Sequence, residues 1–413
     1  MILAYLIAGV LVLTALSLAG GYLERRQKRR FEQEELARLL AQSSAPGNGR
    51  SPEPVVWPTS VVDTDRLSAR LGTNKEGAVS WQPLALPNPH LLIVGGSGSG
   101  KSQTIKAVCH ELRKATAVVV FDVHGDLAID GATTHELHFA SRYGINPLVL
   151  SLDPKGGGPV AQKEIVRTRL QRTFAPMGSV QLGVLDDLLR RCYAARGITQ
   201  EDHASWRKDP PTFADLEERL AKDIAGTKTP ERLQALKTKI STVFDCKVFS
   251  KPTLPIAATG ITRIDMSRLG LDIQFLASDV LLRHLFRETM LAGEAEEGEL
   301  RYVFVIDEAK LLVARGKDDP LGIVNRLASE ARKYGVGLLL ASQDLEHFSR
   351  DILNNVATKL VLMHSETAIR ATASKLLLEK EQLQALKEPF VGLAKFGGTG
   401  WRRVKVQPYF ARV

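Results

Sequence analysis

The first thing the pattern shows is an apolar run without a single charge, ILAYLIAGVLVLTALSLAG over residues 2–20. About 20 apolar residues cross the hydrocarbon core of a bilayer as a helix, so residues 1–23 are predicted to form a transmembrane helix. The pattern then switches to ERRQKRRFEQEELARLLAQ over residues 24–42, strong helix formers that extend this helix into water. SSAPGNGRSPEP, Ser43 to Pro54, has Pro, Gly and Ser without apolar periodicity and reads as a flexible linker, so residues 24–59 form a basic juxtamembrane helix and linker.

Beyond the linker the apolar runs are short and bounded by turn residues. Leu91–Val94, the run beginning at Ala117, Val303–Ile306 and the run beginning at Val336 predict buried strands. A further strand is expected near Ile261. Between Leu148 and that strand the period changes to i, i+3, i+4, and helices are predicted over 161–174, 180–197, 212–224 and 230–244. The fold class is therefore α/β, with an all-α insertion at 155–245 in a crossover of a sheet built by 60–154 and 246–413.

Charge changes the picture at the N-terminal end. The formal net charge is +9, and Arg25, Arg26, Lys28, Arg29 and Arg30 directly follow the apolar run. A signal peptide would have a basic stretch before the run and a small-residue cleavage site after it, and this run has neither. Positive flanks stay on the cytoplasmic side. The expectation is a single-pass protein of the cell inner membrane with its bulk in the cytoplasm. The three cysteines, Cys109, Cys192 and Cys246, fit no metal spacing, and a sparse odd set suits a reducing compartment.

Candidate chemistry begins where the first buried strand ends. HLLIVGGSGSGKSQ continues into a helix near Ser102, which is G-x-x-x-x-G-K-[ST] in the strand–loop–helix context the motif requires. The glycines Gly95, Gly96, Gly98 and Gly100 let backbone N–H groups turn inward toward phosphate oxygens. Ser97, Ser99 and Gln103 complete the nucleotide-binding set. Lys101 reaches the β- and γ-phosphates, and the Ser102 hydroxyl ligates Mg²⁺. ATP and Mg²⁺ are the expected ligands.

Other strands end in polar residues at the same edge, where ligands of parallel sheets bind. YVFVIDE places Asp307 as a second Mg²⁺ ligand and Glu308 as the general base for the attacking water. VGLLLASQ ends in Gln343, placed to sense the γ-phosphate. AVVVFDVHGD ends in Asp122, His124 and Asp126. A turn built by Gly125 and Asp126 is the reading there, since His124 has no second His at ligand spacing. The segment from Asp319 to Gly335 is predicted as one helix capped by Asp319, with Ile323, Val324, Leu327, Ala328 and Ala331 as its buried stripe and Arg332 near its end.

LPNPHLLIVGGSGSGKS, FDVHGDL, INPL, VIDEA, SEARKYGVGLLLASQ and ILNNVATKLVLMHSE occur in that order. The ordered set, over about residues 63–413, resembles the HerA/FtsK superfamily, and DILNNVATK resembles HerA-like helicases and conjugative coupling proteins of the TraG/TraD kind. The resemblance implies a RecA-like ATPase core, a homo-hexameric ring and DNA translocation through a central pore, with Arg332 as the inter-subunit arginine finger. It also implies nucleoprotein or secretion-channel partners. One membrane helix with a motor suits DNA transfer or export, although coupling proteins commonly have two such helices. The insertion resembles the all-α domain of coupling proteins. Its Lys163, Arg167, Arg169, Arg172, Arg190 and Arg191 fit a DNA-facing surface or a solvated helix face equally well. A protein-secretion or pilus-assembly motor needs the same nucleotide site and is the alternative. Intact Lys101, Asp307 and Glu308 argue against a non-catalytic scaffold, and no transporter-type signature follows the loop.

Overall fold

Fully apolar strand sequences such as AVVVF and VGLLLA are stable only with both faces covered, and the chain covers them with helices on each side. The computed structural model describes residues 67–174, 176–315 and 322–412. The predicted membrane helix at 1–23 and the basic helix and linker at 24–59 lie outside the described residues. Among the described residues no helix is long and apolar enough to cross a membrane.

The chain enters through a hairpin, β1 (Ala69–Asn74) and β2 (Gly77–Trp81), and passes into β3 (His90–Val94), α1 (Lys101–Leu112), β4 (Ala117–Asp122) and β5 (Ala132–Glu136). Four helices follow, α2 (Gly158–Thr173), α3 (Ser179–Ala195), α4 (Phe213–Gly226) and α5 (Glu231–Asp245). The chain then returns through β6 (Gly260–Asp265), α6 (Leu271–Leu291), β7 (Tyr302–Ile306), α7 (Lys310–Arg315), α8 (Ile323–Glu330) and β8 (Val336–Ser342). It closes with α9 (Arg350–Asn355), β9 (Thr358–Leu362), α10 (Glu366–Leu376), α11 (Lys380–Gln384), β10 (Val391–Phe396) and β11 (Arg402–Val406).

All the strands form one sheet in the order β2-β1-β11-β10-β9-β3-β8-β7-β4-β6-β5. From β9 to β5 every neighbour is parallel, and from β9 to β2 every neighbour is antiparallel. Within each central strand alternate residues serve two cores. Leu91, Ile93, Val118, Val120, Val303, Val305 and Leu339 pack with Ile105 and Val108 of α1. Leu92, Val94, Val119, Phe121, Phe304 and Leu340 pack on the other face with Leu281 and Phe286 of α6. Truncating one of these, such as Phe304 to Ala, costs about 3–5 kcal/mol.

The four helices after β5 stand where their periodicity places them. Leu185, Leu188, Phe213, Leu220, Leu236, Ile240 and Phe244 are buried and continuous with the α6 side of the core. Thr212 caps α4, accepting from the Ala214 N–H at 3.2 Å while its own N–H donates to Asp215 at 2.7 Å. The cations of this region are mostly engaged. Arg167 pairs with Glu164 and Asp186, Arg190 with Asp187, Arg191 with Asp187 and Asp223, and buried Arg169 faces Asp279 at 3.6 Å. Charges already paired this way suit a solvated, self-neutralised helix face more than an open phosphate-gripping one.

The segment before β8 departs from its prediction. The α-helix begins at Ile323 after Gly322, and Asp319 and Pro320 lie outside the described residues. It tightens into a 3₁₀ turn over Ala331–Tyr334 and ends at Gly335, φ +70°. Such tightening satisfies carbonyls that an α-helix leaves open at its end. The buried stripe of Ile323, Val324, Leu327, Ala328 and Ala331 is as expected. The three cysteines are free, Cys109 and Cys192 buried and Cys246 half-buried.

Candidate nucleotide site

The glycine-rich loop lies between the carboxyl end of β3 and the start of α1. Gly98 and Gly100 have φ of +72° and +104°, the left-handed region that side chains resist, and Gly100 is the N-cap of α1. Gly95 is needed for a different reason. A Cβ there would stand 2.6 Å from Ser99 Oγ and 2.8 Å from Leu362 Cβ. The Gly96 N–H donates to Met363 O at 2.7 Å, fastening the loop to the chain after β9. The Lys101 ammonium donates to the carbonyls of Gly95 at 2.7 Å and Gly96 at 3.0 Å, so it lies along the loop. Burial pulls its pKa below the ordinary lysine value, and the carboxylates of Glu308, Asp307 and Asp126 oppose that.

Across the loop stand the ends of β4 and β7. The Ser102 hydroxyl donates to Asp126 Oδ2 at 2.8 Å. Asp122, Asp126 and Asp307 bring carboxylate oxygens within 4.8 Å of one another. They are not equivalent. Asp122 is fully buried, its Oδ2 is 2.7 Å from Arg263, and it accepts from the N–H groups of Gly125 at 2.7 Å and Leu127 at 3.0 Å. It fixes the turn, with Gly125 at φ +80°, that presents His124 and Asp126. This is the turn expected of Gly125 and Asp126, but the Asp126 side chain does more than build it and reaches Ser102. A carboxylate four residues beyond a strand carries no spacing signal. Only the pairing of β4 beside β7 brings it to the site.

Asp307 is buried, and its pKa is pushed up to about 7, by burial first and then by the negative charge of Asp126 and Asp122. A buried acid crowded by two others beside a serine hydroxyl is a hard-oxygen donor set, and a cation relieves its repulsion. The residues therefore fit Mg²⁺, with Ser102, Asp307 and Asp126 as the oxygens to hold it.

Glu308 has φ +52°, a left-handed backbone on a residue with a Cβ. Such strain concentrates at functional sites. Its Oε2 accepts from Gln343 Nε2 at 3.3 Å and lies 3.9 Å from His124 Nε2. Lys101, Ser102, Asp307, Glu308 and Gln343 thus lie together at the carboxyl ends of the strands. His124 joins them as a neighbour of Glu308. Arg332 does not. It is exposed on the 3₁₀ turn that precedes β8, whereas Gln343 follows β8, and seven strand residues separate the two by about 20 Å.

Set beside known proteins, residues 80–148, from β2 through the glycine-rich loop to the INPL segment, match the family model for the central domain of the helicase HerA. The chain resembles HerA/FtsK-type P-loop ATPases. It is 22% identical over 322 residues to the DNA double-strand break repair helicase HerA of Sulfolobus acidocaldarius, a match covering 72% of this chain and 59% of that one. The chain thus spans about 60% of the length of the curated HerA relative it matches. In fold it is similar to VirB4 of Thermoanaerobacter pseudethanolicus, with a TM-score of 0.65 and 20% identity over 82% of this chain and 96% of that one. The plasmid coupling protein TrwB in complex with ADP and Mg²⁺ gives a TM-score of 0.55 and 14% identity over 88% of this chain and 96% of that one.

Proposed function

We propose that this HerA/FtsK-type ATPase is a DNA translocase, anchored in the inner membrane by residues 1–23 and working as a homo-hexameric ring that pumps, transfers or exports DNA. The observation that carries the reading is the division of one catalytic set between two ends of the sheet. Lys101, Ser102, Asp307, Glu308 and Gln343 share a cleft, and Arg332 stands at the opposite edge. An arginine held at the far end of β8 from Lys101 and Glu308 suits a ring in which each subunit completes its neighbour's site. DNA as the cargo is supported by the HerA relative, whose name is that of a DNA repair helicase.

The chemistry follows from the residues. The N–H groups of the loop and of the first turn of α1 bind the phosphates, helped by the helix dipole. Lys101 turns from the carbonyls of Gly95 and Gly96 to the β- and γ-phosphates. Ser102, Asp307 and Asp126 would hold Mg²⁺, which would supply charge neutralisation at the phosphate oxygens. Glu308 accepts the proton of the attacking water. Gln343, bonded to Glu308, orients that water and registers the γ-phosphate at the end of β8. Arg332 of a neighbouring subunit stabilises charge on the transferring phosphoryl group.

The test is the ATPase rate of the full chain with single-stranded DNA, double-stranded DNA and no DNA, over a salt series. Stimulation that falls steeply with salt is expected, because gripped phosphates release counterions. An ATPase indifferent to both DNAs overturns the DNA reading and leaves the secretion or pilus-assembly motor in its place.

A further inference from the structure

Phosphates, cation and water account for one side of the glycine-rich loop. On the other side stand two aromatic rings with no part in that chemistry. Phe390 precedes β10 and has φ +62°, a conformation unfavourable for a bulky residue. It is held there by its N–H donating to Ser99 O at 3.0 Å and its carbonyl accepting from the Val406 N–H at 2.7 Å. Its ring lies against the backbone of Gly100, so closely that a Cβ on Gly100 would stand 2.5 Å from Phe390 Cδ1. Phe410 meets it edge to face, ring centroids 5.9 Å apart. Phe410 is 63% exposed, and its N–H donates to Gln103 Oε1 at 3.4 Å.

An exposed phenylalanine on a loose strand would carry little meaning, but this one is clamped on both flanks. Tyr409, buried, accepts from the Asp130 N–H at 2.9 Å through its hydroxyl and packs against His110 of α1. Arg412 pairs with Glu111 of α1 and donates to the carbonyls of Arg70 and Gln407. The Gln407 N–H donates to Leu71 O at 3.0 Å. Phe410 is thus a large apolar surface kept in water by rigid neighbours, beside the first turn of the helix whose N-terminus faces the phosphates. β9 flanks β3 on the side away from β7, so these rings stand opposite the Asp307 and Glu308 edge, where the nucleoside end of a bound triphosphate must leave the loop.

We propose that Phe410, backed by Phe390, is the platform on which the base of the nucleotide stacks, and that Gln103 holds this platform to the loop. The proposal rests on the nucleotide-site reading above. Stacking on a preorganised ring costs little ordering entropy, and it recognises the flat face of a purine while reading no hydrogen-bonding edge.

The test compares ATP with inorganic tripolyphosphate, which has the phosphates and lacks the base. Both are titrated with Mg²⁺ present against the full-length parent, Phe410→Ala and Phe410→Trp. The parent is expected to prefer ATP. Phe410→Ala should weaken ATP about 10-fold, within the range of a single base–aromatic stack. Its tripolyphosphate affinity should hold, and Phe410→Trp should restore the preference. ATP affinity unchanged in Phe410→Ala, or equal losses for ATP and tripolyphosphate, overturns the platform. A parent that binds neither ligand overturns the nucleotide site itself.

Discussion

The two ends of the parallel strands are built from opposite chemistry. At the carboxyl ends Asp122, Asp126, Asp307 and Glu308 crowd together with Lys101 lying among them. At the amino ends acids are paired off, as Glu299 is with Arg301 at 2.8 Å, and cations and a neutral histidine stand beside them. Arg332 is exposed, Lys359 pairs across strands with Lys395, and burial with that second charge lowers the Lys359 pKa to about 8. His90 is buried, accepts from the Leu338 N–H at 3.2 Å through Nδ1, and is held neutral with its pKa lowered to about 4 by burial. The ring proposed above would set the Arg332 end of one subunit against the acidic end of the next.

The largest expected effect tests whether the basic end serves another subunit. Arg332→Ala should lower kcat by about 10³-fold or more. Mixed with Glu308→Gln subunits it should regain part of the activity, since some interfaces then join an intact Glu308 to an intact Arg332. Full activity of Arg332→Ala alone, or no gain in confirmed mixed rings, would break the comparison.

The acidic end is probed by separating its steps. Glu308→Gln should lose about 10²-fold or more in turnover yet retain ATP in a filter-binding assay, while Lys101→Ala should lose binding as well. Normal turnover in Glu308→Gln would remove the base from its place. Asp126→Asn should raise the Mg²⁺ concentration for half-maximal ATPase by about 10-fold or more, as loss of a charged oxygen near a metal does. An unaltered Mg²⁺ titration would return Asp126 to the turn alone.

The smallest effect sharpens the contrast from the basic end. An unfolded His90 takes up its proton near its ordinary value of 6.5, and the folded residue only near 4. The unfolded chain therefore binds more protons in that window. The stability His90 contributes is complete above about pH 6.5 and is lost as pH falls toward 4, by at most about 1.4 kcal/mol per pH unit. His90→Asn, which keeps an acceptor for Leu338, should flatten the slope of denaturant midpoints over that window. An equally steep slope would show that other groups set it.

What could be read in the sequence divides along the same sheet. β3, β4, β7 and β8 are apolar throughout because both faces are covered, and such runs stand out in any window. β11, RRVKV, buries only Val404 and Val406, and β2 is similarly mixed. Strands this short, with one face in water, leave too little pattern, so β1, β2, β10 and β11 carry no local signal. The site divides likewise. Lys101, Ser102, Asp307, Glu308 and Gln343 sit directly at the ends of apolar runs. Asp126 and Phe410 reach the loop through a turn held by buried Arg263 and a segment held by Tyr409, contacts spanning 141 and 279 positions. No local pattern encodes those.

The free cysteines have a practical outcome. Burial raises the pKa of all three thiols, that of Cys192 to about 11. At neutral pH almost none of that sulfur is thiolate, the form that attacks maleimides. A cysteine introduced on an exposed surface would outpace them in labelling, Cys246 being the slow competitor because it is only half-buried. Fluorophores could be mounted on the chain, and the proposed ring tested by energy transfer, without first stripping its natural thiols.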